Sequence, residues 1–189
     1  MVSATLALIT FLVDTRWVTE LSEVLFIGGR SGVGKTTVAH ALHSQLSAKD
    51  LRHCLIEGDN LDMAHPPPWV HGVAEKNLAA MWKNYRELGY RRLIYTNTVS
   101  VRLTQQLAIA MGDNPRIIGV LLTANDPTAY SRLAGRETGS ELDSHYGRSQ
   151  RTARELDLHA PSWVHRIKTD DRSPAEVANE ILVLTGWQH

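Results

Sequence analysis

The stretch Gly29-Arg30-Ser31-Gly32-Val33-Gly34-Lys35-Thr36 matches the pattern GxxxxGK(S/T) at every specified position. An apolar run at residues 24–27 precedes it, and a segment with helical apolar spacing follows directly. In that context the glycines let the backbone curl so that successive N–H groups converge on a polyphosphate, and the helix N-terminus adds partial positive charge. The stretch therefore predicts a strand, a phosphate-binding loop and a helix, in that order.

The side chains of this loop have expected roles in binding ATP together with Mg²⁺. Lys35 is expected to reach the β- and γ-phosphates, and the hydroxyl of Thr36 is expected to bind the metal ion. Backbone N–H groups supply the other phosphate contacts in such a loop. The predicted nucleotide-binding residues are Gly29, Arg30, Ser31, Gly32, Val33, Gly34, Lys35, Thr36 and Thr37.

After the loop, short apolar runs alternate with segments of helical spacing, which is typical of an α/β fold with a parallel sheet between helices. Helical spacing covers residues 73–88 and 103–111, Asp126 is expected to cap a further helix, and a capping box at Ser173 and Glu176 begins the last one. The predicted strands are residues 24–27, 54–56, 93–95, 117–122 and 164–167.

Two segments interrupt this alternation and are predicted to be irregular. Residues 62–72 contain three consecutive prolines, which cannot continue a helix, and residues 135–148 are rich in glycine, serine and charge. We expect one domain over residues 24–189, preceded by an N-terminal extension over residues 1–23. The apolar run at residues 4–13 is too short for a membrane span of about 20 residues and is interpreted as an extra packed element or an over-extended translation start.

The overall charge argues against large polyanionic partners. The 189 residues carry 20 Lys+Arg and 20 Asp+Glu, so neither nucleic acid nor an acidic membrane is expected as the main partner. Cys54 is the only cysteine, which excludes an intramolecular disulfide and a multi-cysteine metal site. It is interpreted as a buried small residue, the histidines show no zinc-binding spacing, and a cytoplasmic location is expected.

Other classes of nucleotide-binding protein fit less well. A GTPase would carry Asn-Lys-x-Asp, yet no asparagine here is followed by lysine. An AAA-type ATPase would end a strand in Asp-Glu, whereas the third predicted strand ends in Tyr95-Thr96-Asn97. The second strand instead ends in the acidic turn Glu57-Gly58-Asp59-Asn60, at the sheet edge where ligands bind in open α/β folds.

The loop and the acidic turn together resemble the small-molecule kinases of the P-loop class, a group that includes adenylylsulfate, gluconate and shikimate kinases and antibiotic phosphotransferases. Adenylylsulfate kinases carry Asp-Gly-Asp-Asn where this chain has Glu57-Gly58-Asp59-Asn60. The resemblance implies a three-layer P-loop fold with a five-stranded parallel sheet in the order 2-3-1-4-5 and an arginine-bearing lid. It also implies that Asp59 accepts a proton from the acceptor hydroxyl, and that residues 169–173 wrap the adenine.

The predicted lid covers about residues 132–154. Helical spacing would place Arg132 and Arg136 on one helix face, and the resemblance implies that such arginines clamp the transferring phosphoryl group. The predicted catalytic residues are Lys35, Asp59, Arg132 and Arg136. Further lid candidates are Arg148, Arg151 and Arg154.

The acceptor pocket is expected after the second strand. The substrate candidates are Glu57, Asp59, Trp69 and Asn97, with Asp62 as a weaker one; the wider set is His65, residues 66–68, His71, Trp82 and Tyr85. Trp82 and Tyr85 belong to a helical stripe, which favours the core over the pocket. The only phenylalanines, Phe11 and Phe26, are not placed to sandwich an adenine as adenylylsulfate kinases do, which argues against a sulfate-nucleotide acceptor. The mixture of aromatic and neutral polar candidates instead predicts a small hydroxylated molecule, or a hydrophobic metabolite or antibiotic.

These observations predict an ATP-dependent phosphotransferase that acts on a small-molecule hydroxyl. Two alternatives remain open. One is a nucleotide-binding regulator with slow ATPase activity, and the other is an antibiotic-modifying phosphotransferase.

Overall fold

A five-stranded parallel sheet organises the part of the chain that the computed structural model describes, residues 21–135 and 139–188. The strand order β2-β3-β1-β4-β5 confirms the predicted fold class, and each strand begins and ends within one residue of its predicted position. Residues 1–20, with the predicted apolar run, lie outside the described residues. The strands are β1 (Glu23–Gly28), β2 (Cys54–Glu57), β3 (Arg92–Thr96), β4 (Arg116–Thr123) and β5 (His165–Lys168).

Helices connect the strands and cover both faces of the sheet. None of those in the described part of the chain has the length and apolarity that a membrane crossing requires. Short 3₁₀ turns lie at Gly58–Asn60, Trp69–His71 and Ser100–Arg102. The helices are α1 (Lys35–Ala48), α2 (Val73–Glu87), α3 (Thr104–Met111), α4 (Asp126–Ala134), α5 (Ser140–His159) and α6 (Pro174–Thr185).

The central strand β1 separates two apolar cores because its successive side chains point to opposite faces of the sheet. Leu25 and Ile27 pack with α1 and α6, whereas Val24 and Phe26 pack with α2 and α3. All four side chains are fully buried. The sheet is therefore the middle layer of three, and the carboxyl ends of its strands form one edge where the loops meet.

The apolar stripe on α2 packs in the core that contains Val24 and Phe26 of β1. Trp82 is fully buried and its indole Nε1 donates to Asp113 Oδ2 at 3.1 Å, while Tyr85 packs against the same cluster. These two residues are core residues, as their spacing favours, and their place in the wider acceptor set is wrong. The stripe ends there, because Leu88 lies beyond α2 and is 68% exposed.

The prediction of an irregular segment over residues 135–148 is wrong from Ser140 onward, where α5 begins. Leu142, Ser149 and Leu156 are all buried and recur every seven residues, so one face of α5 packs against the domain. That packing outweighs the poor helix propensity of the serines and of Gly147. Residues 62–72 do form an irregular loop, interrupted only by a short turn.

The helix boundaries correct one predicted cap and confirm another. Asn125, and not Asp126, caps α4, because its side chain accepts the Thr128 N–H at 2.7 Å. The capping box of Ser173 and Glu176 begins α6 as predicted. Helix α4 ends at Ala134, before Arg136, which lies outside the described residues.

Candidate active site

The glycine-rich loop follows β1 and leads directly into α1. Gly32 has a φ of 83°, and a Cβ there would lie 2.6 Å from the carbonyl oxygen of Ala129 on α4, so only glycine fits. Gly34, with a φ of 96°, forms the left-handed residue before the helix. The Nζ of Lys35 donates to the carbonyl oxygen of Gly29 at 2.8 Å, which holds the ammonium group against the first turn of the loop.

A cavity of about 470 Å³ lies beside the loop, and we call it the loop cavity. Ser31 to Thr37, seven of the nine predicted nucleotide-binding residues, line it. Thr169 and Arg172, from the segment predicted to wrap an adenine, line it as well. The other lining residues are Val38, Asp59, Arg132, Leu133, His145, Pro174 and Val177.

Arg132 joins three parts of the loop cavity. Its Nη1 donates to the carbonyl oxygen of Val33 at 3.2 Å and to Thr169 Oγ1 at 2.9 Å, and its Nη2 donates to the carbonyl oxygen of Thr169 at 2.9 Å. The guanidinium therefore ties α4 to the glycine-rich loop and to the connection between β5 and α6. Its charge lies beside the loop, where the sequence predicts a phosphate-binding arginine.

The remaining lid arginines are placed differently. Arg148, Arg151 and Arg154 are exposed, and none of them lines the loop cavity. The Nη1 of Arg148 donates to Ser144 Oγ at 2.7 Å on its own helix. His145 is the α5 residue that lines the cavity. The sequence does not single it out, because the composition of residues 135–148 predicts an irregular loop. The seven-residue spacing of Leu142, Ser149 and Leu156 is the sequence signal that could have indicated the helix.

The acidic turn brings a carboxylate to the hydroxyl of Thr36, which is predicted to bind Mg²⁺. Thr36 Oγ1 donates to Glu57 Oε2 at 3.4 Å, and Glu57 Oε1 lies 3.3 Å from His40 Nε2. Hydroxyl and carboxylate oxygens are the donors that Mg²⁺ prefers. Glu57, predicted as a substrate residue, therefore lies with Thr36 in a pair that fits this ion.

Asp59 lies two residues after Glu57, in the 3₁₀ turn that follows β2, and is exposed. Its Oδ1 accepts from Asn97 Nδ2 at 2.6 Å, and Asn97 Oδ1 accepts in turn from the Val99 N–H at 2.9 Å. These bonds fix the amide of Asn97 and hence the carboxylate of Asp59. The two residues follow β2 and β3, neighbours in the sheet, so parallel strand ends bring them together.

A second cavity, of about 560 Å³, opens beside the acidic turn, and we call it the turn cavity. Five sequence candidates line it: Asp59, Asp62, Pro67, Trp69 and Asn97. His65 and His71 do not. The other lining residues are Gly58, Met63, Ala64, Ala74, Glu75, Tyr95, Thr98, Val99, Leu103 and Leu107.

Cys54 and the histidine pair beside it are structural. Burial raises the pKa of the Cys54 thiol to about 12, which keeps the thiol protonated and unreactive. His53 is also buried, which lowers its pKa, and its Nε2 lies 2.8 Å from His43 Nδ1. Within the described ranges, no three His, Cys, Asp or Glu side chains are grouped to hold a metal ion.

Arg30 connects the loop to α4 and α5. Its side chain is 5% exposed, pairs with Asp126, and donates from Nε to Ser149 Oγ at 3.1 Å. Ser149 Oγ donates onward to the carbonyl oxygen of Ser31 at 2.9 Å, and the guanidinium lies 5.8 Å from the centre of the Tyr146 ring. The backbone of Arg30 thus belongs to the loop, while its side chain fixes both helices against it.

We expect Arg30→Met to destabilise the fold by about 1–3 kcal/mol, because it leaves buried polar groups without their partner. The KM for ATP should rise as well, since α4 and α5 bear Arg132 and His145. Urea unfolding and steady-state kinetics measure the two effects. Arg148→Met is the matched control on the exposed face of α5 and should change stability by less than about 0.5 kcal/mol. Equal effects of the two substitutions would contradict the role of Arg30.

Comparison with known proteins finds a family match over part of the chain. Residues 21–65 match the family described as adenylylsulphate kinase, which covers the loop and the acidic turn but about a quarter of the chain. No curated protein matches the chain significantly in sequence.

Several solved structures share the fold. A tunicamycin resistance protein from Deinococcus radiodurans superposes with a TM-score of 0.62 at 22% identity, covering 87% of this chain and 96% of that one. An APS kinase from Mycobacterium tuberculosis gives 0.56 at 18% identity, with 88% and 98% covered. A gluconokinase from Sinorhizobium meliloti gives 0.56 at 18% identity, with 90% and 99% covered. The predicted resemblance to P-loop small-molecule kinases is confirmed, and at these identities it establishes the fold.

Proposed function

We propose that this protein is an ATP-dependent phosphotransferase that moves the γ-phosphate of Mg-ATP to a hydroxyl group of a small molecule. The observation that carries the proposal is the position of Asp59, which lines both the loop cavity and the turn cavity. A triphosphate on the loop and an acceptor in the turn cavity would meet beside this carboxylate. The fold likeness to an APS kinase that was solved with AMPPNP and APS bound supports the same division of the site.

The residues around the loop fit Mg-ATP. Backbone N–H groups of the loop and the ammonium of Lys35 would hold the β- and γ-phosphates, and Arg132 would add positive charge beside them. Thr36 and Glu57 would hold Mg²⁺. The ion, when bound, neutralises charge that develops on the phosphate oxygens.

Asp59 would accept the proton of the acceptor hydroxyl as the acceptor oxygen bonds to the γ-phosphorus. The bond from that phosphorus to the β–γ bridging oxygen breaks, and ADP leaves with the electron pair. Phosphoryl transfer depends mainly on positioning and on charge stabilisation, so one fixed carboxylate near the attacking oxygen is sufficient. The amide of Asn97 supplies that fixation through its 2.6 Å hydrogen bond.

One candidate class of acceptor is an antibiotic. The lining of the turn cavity includes the apolar side chains of Met63, Trp69, Leu103 and Leu107, which suit a partly hydrophobic molecule. The fold likeness to a tunicamycin resistance protein supports including such compounds. A purely regulatory nucleotide-binding protein would have no need for a carboxylate shared by two cavities.

The proposal is tested by incubating the protein with Mg-ATP and a broad panel of metabolites and antibiotics. Mass spectrometry should detect an acceptor that gains one HPO₃ unit, and the Lys35→Met protein should give none. ATP hydrolysis at full rate without acceptor, together with no phosphorylated compound, would overturn the proposal and favour the slow ATPase alternative.

A further inference from the structure

The charged side chains that line the turn cavity are all acidic. Three of the described residues that line it carry carboxylates, Asp59, Asp62 and Glu75, and none of the described lining residues is a lysine, arginine or histidine. The protein as a whole has a formal net charge of zero, so this imbalance is local. A bound molecule would therefore meet a negative field.

The three carboxylates come from separate elements and line the same cavity. Asp59 belongs to the turn after β2, Asp62 to the irregular loop and Glu75 to the first turn of α2. Burial and the charges of all three raise the pKa of Tyr95, whose side chain also lines the cavity. Their negative charge is thus directed at the same space.

Neutral groups hold two of these carboxylates in place. Asn97 Nδ2 donates to Asp59, and Gln106 Nε2 donates to Glu75 Oε1 at 2.6 Å. An amide donor orients a carboxylate without cancelling its charge. The flanking cation on α2, Lys76, donates from Nζ to the carbonyl oxygen of His71 at 2.9 Å and is not among the lining residues.

The lining of the cavity also includes apolar side chains. Met63, Leu103 and Leu107 line it, and Trp69 lies at its rim with 73% of its surface exposed. The face of a tryptophan ring also attracts cations. The lining thus favours a molecule that carries both a positive group and an apolar body.

Resting on the proposed function, we propose that the phosphate acceptor is a hydroxylated amine: its hydroxyl reaches Asp59, its protonated amine pairs with Asp62 and Glu75, and its apolar part lies against Met63 and Leu107. The transfer step is the one given above, and the amine keeps its proton throughout. Hydroxy acids are disfavoured, because their carboxylate would lie beside three like charges.

The first test compares matched acceptors at saturating Mg-ATP. Amino alcohols, amino sugars and aminated antibiotics are assayed beside their N-acetylated forms and beside the hydroxy acids shikimate and gluconate. We expect kcat/KM for an amine to exceed that for its acetylated form by about tenfold or more, and to fall as NaCl is raised. Preference for hydroxy acids or acetylated forms would overturn the acceptor class while leaving phosphotransfer intact. No transfer to any class, together with ATP hydrolysis at full rate, would overturn the proposed function itself.

The second test assigns the selectivity to residues. Asp62→Asn and Glu75→Gln preserve side-chain shape, and each should lower the ratio of kcat/KM for amine to acetylated acceptor by about five- to tenfold. Glu87→Gln is the matched control, since Glu87 lies at the far end of the same helix, away from the cavity. Circular dichroism melting checks that all three variants are folded. An unchanged ratio in both cavity variants would overturn the pairing of the amine with these carboxylates.

Discussion

Asp59→Asn is expected to lower kcat for phosphoryl transfer by about 10²- to 10⁴-fold while the Kd for Mg-ATP changes by less than about twofold. The substitution removes the proton acceptor and little else. An asparagine Oδ1 can still accept the hydrogen bond from Asn97 Nδ2, so the turn after β2 keeps its geometry. Single-turnover kinetics with an identified acceptor and calorimetric titration of ATP measure the two quantities separately.

The control for this experiment is Asp157→Asn on α5, whose side chain is 80% exposed and faces Arg166. It should leave kcat within about twofold of the parent protein. In a regulator that only binds nucleotide, both substitutions would leave the Kd for Mg-ATP and the slow ATPase rate almost unchanged. Full transfer activity in Asp59→Asn would show that the acceptor hydroxyl loses its proton to another group.

The loop and the strand ends could be predicted because each depends on local sequence. GxxxxGK(S/T) requires particular residues at fixed spacing, and the apolar run of each buried strand is visible by itself. Asp59 and Asn97 could be predicted to meet, although 38 residues separate them, since they follow strands that the predicted order makes neighbours. The strand order came from the resemblance, whereas the residues alone indicated the parallel sheet.

The parts that escaped prediction depend on packing between distant segments. Helix α5 contains Gly147 and several polar residues, and it is helical because one face packs on the domain. Arg30 resembles any loop residue in sequence, and only the fold brings Ser149 to its guanidinium across 119 positions. Glu75 likewise reads as an ordinary acidic residue in the first turn of a helix.

The same reasoning explains why the acceptor class that we propose could not be predicted from the motif. The motif around Glu57 and Asp59 suggests an adenylylsulfate kinase, and a sulfate-nucleotide acceptor is anionic. The charge of the turn cavity depends also on Asp62 and Glu75, which lie outside the motif and face one space only after α2 has folded onto β3. The motif thus favours phosphotransfer in general, while the acceptor class that we propose rests on residues outside the motif.

Lys35→Met should lower kcat/KM for ATP by about 10²- to 10³-fold or more. Methionine keeps the unbranched length of lysine and removes the charge. The ammonium now bonds the carbonyl oxygens of Gly29 and Arg30, a position from which it can turn to the β- and γ-phosphates without movement of the backbone. Losing it removes charge-assisted hydrogen bonds that strengthen as negative charge shifts towards the leaving group.

Thermal melting separates this effect from misfolding. Without nucleotide, the Tm of Lys35→Met should stay close to that of the parent protein, because the Lys35 bonds to loop carbonyls are partly exposed and weak. With Mg-ATP at about 100 times its Kd, the parent protein should gain about 2.7 kcal/mol of stability, and the variant should gain much less at the same concentration. Lys83→Met is the control, since the Lys83 side chain is 76% exposed and its ion pair with Glu87 spans a surface turn of α2. A nucleotide-induced shift in Lys35→Met as large as in the control would show that ATP binds without this lysine, and the loop cavity would then need another cation, with Arg132 the first to substitute.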